Sequence, residues 1–220
     1  MGSFWPLFDL RLETSRLALR PPTDADFPAL LAAIDAGIHD PTEMPFSVPW
    51  TDAAPDARRR AAAQHWWRNR AMWSADEWHL TMAVFRDDEA IGVQELCAVG
   101  YPALREVRTG SWLTRAAQGQ GYGKEMRAAV LQLAFEGLDA EVARTAAFVD
   151  NTASLRVSRA VGYRENGHHR LVRRGVPTEI VDFEMTRADW FDDVRRRQPP
   201  AVVRGLDACV PMFSASPPTS

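Results

Sequence analysis

From Tyr122 onward, apolar residues recur at Tyr122, Met126, Ala129, Val130, Leu133 and Ala134, the i, i+4, i+7, i+8, i+11, i+12 spacing of one helix face. Leu131, Phe135 and Leu138 make much of the remainder apolar too, so this helix is expected to be largely buried. Ahead of it, runs of apolar residues bounded by turn signals predict strands at 16–20, 77–85, 90–99 and 107–114. After it come a strand at 143–149, a short helix at 152–160 and two closing strands near 168–172 and 180–185. Two earlier helices are expected at 27–36, capped by Thr23 or Asp24 and stopped at Gly37, and at 55–72. Between them Pro41, Pro45 and Pro49 keep the chain irregular. The order predicts a layered α/β fold, with a central mixed sheet of about seven strands flanked by helices. A main domain is expected over 1–198 and a C-terminal extension over 199–220, with a possible edge strand in "AVVRGL" and a frayed Ser/Pro tail.

Composition narrows the class without naming a function. Apolar residues make up 46% of the 220 and charged residues 25%, which suits a globular protein with a substantial core. A formal charge of −3 supplies no basic field for nucleic acid. Cys97 and Cys209 form no disulfide framework, and neither they nor the five histidines have metal-ligand spacing, so no metal is expected. Nothing resembles a secretory signal or a membrane span, and a cytoplasmic location is expected.

The helix entrance carries the chemistry. Gly119, Gly121 and Gly123 alternate there, although each glycine inside a helix costs roughly 1 kcal/mol relative to alanine. A phosphate-loop NTPase needs glycine five residues before Gly123 and Ser or Thr after the lysine; Gln118 and Glu125 stand there. A dinucleotide fingerprint needs a third glycine where Met126 stands. The spacing left is Q-x-x-G-x-G, from Gln118, Gly121 and Gly123. Bare backbone at a helix N-terminus lets an anion approach successive N–H groups, and Lys124, the only lysine, adds a point charge. The competing reading is a glycine turn needed only for close helix–sheet packing.

This motif, continued by "TAAFVDNTASLRVSRAVGY" with Asn151, Ser154 and Gly162-Tyr163 in order, resembles the GNAT superfamily of GCN5-related N-acyltransferases. The resemblance implies a mostly antiparallel sheet splayed between its fourth and fifth strands, with acyl-CoA as donor substrate. It implies a diphosphate cradle from Gln118, Gly119, Gln120, Gly121, Tyr122, Gly123 and Lys124. The backbone of Trp112, Leu113 and Thr114 would meet the pantetheine arm on one side, with Asn151 and Ser154 on the other. Segments such as "HDPTEMPFSVPWT", "GQGYGKEMRAAVL" and "RGLDACVPMF" also resemble an actinobacterial subgroup that includes a mycobacterial succinyl-CoA-dependent acyltransferase. That likeness raises acetyl-CoA or succinyl-CoA as donor, and a homo-oligomer as the assembly.

Transfer to an amine needs a base, oxyanion stabilisation and a proton for the departing thiolate. The tyrosine that many GNAT proteins place seven residues after the asparagine is replaced here by Ser158. In ribosomal-protein-acetylating relatives a serine three after the asparagine is proposed instead, and here that is Ser154. Their glutamate falls on Arg173, so Glu95 and Glu106 are the candidate bases, beside the reading that both are ordinary surface carboxylates. Arg156 and Arg159 are weighed for a 3′-phosphate against a solvated helix face. His39 is weighed only as acceptor-side lining, and Trp66, Trp67, Trp73 and Trp78 as a lid against core or interface anchors. The acceptor is a primary amine of a protein or small molecule. A non-catalytic acyl-CoA sensor and a purely structural oligomer are the competing classes.

Overall fold

In a computed structural model, residues 4–213 of the chain are described. The Ser/Pro tail expected at the C-terminus lies outside them. A single nine-stranded sheet runs through the molecule. Its strands in chain order are β1 (Arg11–Glu13), β2 (Ala18–Arg20), β3 (Glu77–Arg86), β4 (Glu89–Val99), β5 (Glu106–Leu113), β6 (Val142–Phe148), β7 (Arg164–Arg173), β8 (Val176–Thr186) and β9 (Val202–Arg204). In space they lie β7-β8-β6-β5-β4-β3-β2-β1-β9, every neighbour antiparallel except β5 and β6.

Nine strands rather than about seven has two local causes. The expected first strand, at 16–20, is β2, and an additional strand β1 precedes it in a hairpin, because the Thr14 backbone N–H bonds Leu17 O at 2.9 Å and the Thr14 hydroxyl accepts from Leu17 N at 3.0 Å. The last strand comes from "AVVRGL": β9 pairs with β1 through Leu12 and Val203. Gln132 clasps Ala201 from both sides, and Phe213 packs edge-on against Trp73 and Trp78, so residues 201–213 join the main core.

Helices α1 (Phe27–Asp35) and α2 (Pro55–Ala71) cover one face, over a core of Phe27, Leu30, Ile34, Trp66, Phe85 and Val93. Helices α3 (Tyr122–Gln132) and α4 (Thr152–Val161) cover the other. Val130, Leu131, Leu133 and Phe135 are fully buried, and each large apolar side chain contributes about 1.5–3 kcal/mol. Packing therefore holds α3 in place, and its glycine-rich first turn is tolerated.

The sheet opens in one place. β5 and β6 are paired only from Glu106–Val142 to Arg108–Arg144. Beyond Arg108 they diverge, although β5 continues to Leu113 and β6 to Phe148. This is the splay expected between the fourth and fifth strands, renumbered by the additional β1.

Candidate active site

The glycines separate into two kinds. Gly119 and Gly121 have φ of +72° and +84°, where a Cβ is disfavoured, and a Cβ on Gly119 would meet nothing within 4 Å. These two are required by the turn, not by packing. Gly123 has ordinary backbone, and its Cβ would come within 3.3 Å of Val157 on α4. The packing reading holds for Gly123 and fails for the other two.

The turn leaves a row of donors. Among the described residues, the N–H groups of Gly119, Gln120, Gly121, Tyr122 and Gly123 have no protein acceptor, and no side chain caps α3. The row is shorter than the resemblance implied. Gln118 N donates to Arg115 O at 3.2 Å and Lys124 N to Gly121 O at 3.1 Å. The Gln118 side chain is also occupied, donating to Ile38 O at 2.6 Å and Leu113 O at 3.0 Å, so it braces the loop. Gln120 is turned back onto Ala116 O. Thr114 N, just past the end of β5, is held by Ile91 O. Lys124 is exposed at the same helix end, with no acidic partner among the described residues.

Arg16 and Glu125, neither singled out in the sequence, set the position of this loop. Arg16 donates to Gln120 O at 3.0 Å, lies 4.6 Å from the Tyr122 ring centroid and pairs with Glu125 at 2.5 Å. Glu125 also accepts from the Thr14 hydroxyl at 2.6 Å and from Arg16 N at 3.2 Å. Burial pushes this carboxyl up, but the bonds from Thr14 and Arg16 and the Arg16 charge outweigh it, and it titrates below its ordinary range. The β1–β2 turn is thereby fastened to the first turn of α3.

Across the wedge, Asn151 is the N-cap of α4, its side-chain oxygen accepting from Ser154 N at 3.1 Å. The Ser154 hydroxyl makes no protein hydrogen bond among the described residues, so it is not spent on its own helix turn. One turn deeper, Ser158 is buried with its hydroxyl unpartnered. Arg159 is bound to Glu165 at 2.6 Å, which favours the solvated-face reading, and Arg156 is exposed.

On the α1/α2 face, Glu95 stands over the gap. A Cβ on Gly110 of β5 would lie 3.9 Å from its Oε2. Glu95 Oε1 meets His65 Nε2 at 3.0 Å and the Thr81 hydroxyl at 3.4 Å, and Asn69 bridges His65 and Thr81. Glu106 is instead bound to Arg144 at 2.8 Å, which removes it as a base. Beside Glu95, the rings of His39, Phe46, Trp50 and Trp112 follow one another at 5.7, 5.3 and 6.4 Å. His39 and Trp112 thus stand at the two ends of one aromatic row on this face. Trp66, Trp73 and Trp78 belong to or pack against the core, and Trp67 bonds Asp24; none of the four forms a lid.

The β7–β8 hairpin reaches over this face. Arg173 pairs with Asp150 at 2.6 Å and donates to Met44 O at 3.3 Å. Arg174 pairs with Asp52 at 2.5 Å and donates to Thr42 O and Pro41 O. Among the described residues no group of His, Cys, Asp and Glu is arranged to hold a metal, and no helix is long and apolar enough to cross a membrane.

The sheet is thus split beside a helix whose first amides are open, with a carboxylate across the gap. The family model described as an acetyltransferase (GNAT) domain matches residues 16–164, and the chain belongs to that family. Among solved structures it is similar to a GCN5-related N-acetyltransferase from Brucella melitensis (19% identity, 84% of this chain and 82% of that one, TM-score 0.66). RimJ from Mycobacterium smegmatis, in complex with a CoA disulfide, is 19% identical over 87% of this chain and 97% of that one, with TM-score 0.63. RimL, a ribosomal L7/L12 alpha-N-protein acetyltransferase in complex with coenzyme A, is 18% identical over 79% and 95%, also with TM-score 0.63.

Proposed function

We propose that this chain transfers an acyl group from acyl-CoA to a primary amine by direct transfer within a ternary complex. The observation that carries the reading is the run of five open amides, Gly119 to Gly123, at the mouth of the β5–β6 wedge. Those N–H groups, the α3 dipole, Lys124 and Arg16 suit a diphosphate. The unpaired edges of β5 and β6 suit an amide-bearing arm, as they leave backbone groups that need partners.

On this reading the amine enters from the face lined by Trp112, Trp50 and Glu95. Its nitrogen attacks the thioester carbonyl carbon, the C–S bond breaks, and sulfur leaves with the electron pair. Glu95, directly or through His65, takes the amine proton. Ser154, whose hydroxyl is free at the wedge, is the candidate proton source for sulfur. Acetyl-CoA is the donor that the family supports, and succinyl-CoA is proposed from the likeness of the chain's segments to the succinyl-transferring subgroup. A protein α-amine is proposed as acceptor from the similarity to RimL, in a cytoplasmic homo-oligomer.

CoA at about 100 times its Kd should stabilise the fold by about 2.7 kcal/mol and raise the melting temperature accordingly. Thiol release should then follow with acetyl- or succinyl-CoA and a panel of peptides with free α-amines. Absence of a melting shift with any acyl-CoA would remove the proposal. A shift without thiol release across the panel would leave the sensor reading in its place.

A further inference from the structure

Arg127 is an arginine in the middle of the most apolar run in the chain, and it is 3% exposed. Its side chain leaves α3 toward the apex of the wedge. Nη2 donates to the Ser111 hydroxyl of β5 at 3.0 Å, Nη1 to the Thr145 hydroxyl of β6 at 3.3 Å and Nε to Gln94 Oε1 at 3.4 Å. Tyr163, which bonds Thr109 at 3.1 Å, is a fourth neighbour. Thr145 also donates to Thr109 O at 3.0 Å, closing the sheet immediately beyond its last registered pair. The guanidinium therefore bridges the two strands at the point where they part.

Every one of these partners is neutral. No carboxylate lies within salt-bridge distance of Arg127 among the described residues, although twenty-two other ion pairs are formed. A buried cation with no counter-charge carries a desolvation penalty of several kcal/mol that neutral hydroxyls offset only in part. That same desolvation lowers the tendency of Arg127 to hold its proton. With its charge uncompensated by neutral hydroxyls, the guanidinium would bind strongly an anion arriving at that place.

On the acyl-CoA reading, the departing thiolate is such an anion. Arg127 lies six positions along α3 from Gly121, about 9 Å deeper than the open amides. A thioester threaded from the amides into the wedge brings its sulfur toward this apex. Resting on the acyl-CoA reading above, we propose that Arg127 stabilises the thiolate that leaves when the C–S bond breaks, doing electrostatically what the absent tyrosine at Ser158 would do by proton transfer. The carbon–nitrogen bond forms as the carbon–sulfur bond breaks. Sulfur keeps the electron pair, the guanidinium keeps its proton, and the thiolate takes a proton from Ser154 or water on departure.

The test reads the thiol itself. Ultraviolet thiolate absorbance of CoA, titrated in complex with the wild-type protein and with R127Q and R127K, should show a bound thiol midpoint about 1–3 pH units below free CoA in the wild type. R127K should keep much of that shift and R127Q should lose it, with kcat for acetyl-CoA falling on the order of 10²–10³-fold in R127Q. An unshifted thiol in the wild-type complex overturns the proposal, even if neither variant folds. An equal shift in wild type and R127Q also overturns it. So does a loss in R127Q confined to succinyl-CoA, which would make Arg127 a reader of an acyl carboxylate. Failure of CoA to bind the wild type at all, measured by calorimetry, would remove the acyl-CoA reading itself, and is distinct from binding with an unshifted thiol.

Discussion

Glu95 and Glu125 show how two carboxylates in one site acquire different work from their neighbours. Glu125 is 7% exposed and receives bonds from Thr14 and Arg16, so its negative charge is consumed in holding the glycine-rich loop. Its depressed pKa makes a signed prediction. The stabilisation is fully present above the ordinary value near 4.5 and is lost as pH falls through the lower folded value. Glu125→Gln should lower stability by about 1–3 kcal/mol at neutral pH. The gap in melting temperature between variant and wild type should close as the solution is acidified below pH 4. A gap that stays constant would mean the charge is not what holds the turn. Glu95 is bound by His65 and Thr81 and faces Gly110 at the wedge, the placement on which its proposed role as base rests. Glu95→Gln should reduce kcat on the order of 10²–10⁴-fold while leaving the Kd for CoA, measured by calorimetry, unchanged. Neither partner set was legible in the sequence, because His65 and Glu95 are 30 positions apart and Thr14 and Glu125 are 111 apart.

At the scale of one element, α3 and its entrance were legible almost to the residue. Apolar spacing fixed the helix, and the energetic cost of glycine placed Gly119 and Gly121 outside it. The sequence did not reveal that the glycines differ in kind, since positive φ and a Val157 neighbour both select a small residue. Two substitutions separate the kinds. Gly121→Ala forces a side chain into the left-handed region at about 1–2 kcal/mol and should weaken CoA binding through the turn. Gly123→Ala keeps an allowed backbone and presses on Val157, so thermal stability should change more than CoA affinity. If Gly123→Ala instead abolishes CoA binding while Gly121→Ala does not, the open amides are assigned to the wrong turn. The short strand ahead of residues 16–20 was not expected, for a related reason. Thr14 closes a turn with Leu17 that pairs residues 11–13 with 18–20, and its hydroxyl then reaches Glu125 on a helix the local pattern knows nothing about.

Across the whole molecule, the face proposed for the acceptor is assembled from segments far apart in the sequence. The loop at 39–52 and the β7–β8 hairpin meet through Arg173 and Arg174, with Asp150 and Asp52 as partners. Exposed or half-exposed ion pairs of this sort contribute about 0–1 kcal/mol each, so they are poor evidence for stability and better evidence for shape. Arg173→Ala combined with Arg174→Ala should leave the melting temperature nearly unchanged. It should raise KM for the amine acceptor while KM for acyl-CoA stays constant in steady-state kinetics. Raised KM for both substrates would show that the contact supports the wedge, not the acceptor path.

By itself the chain of residues determined the helices, most of the strands and the glycine-rich anion turn, because these follow from spacing and conformational cost within a few neighbouring positions. Tertiary structure alone decided which carboxylate faces the gap, which arginine is buried without a counter-charge, and where the proline-rich loop is fastened. Those outcomes depend on electrostatic and packing partners brought together from up to 133 positions away, and the energy of a buried charge is set by its surroundings, which no local pattern encodes.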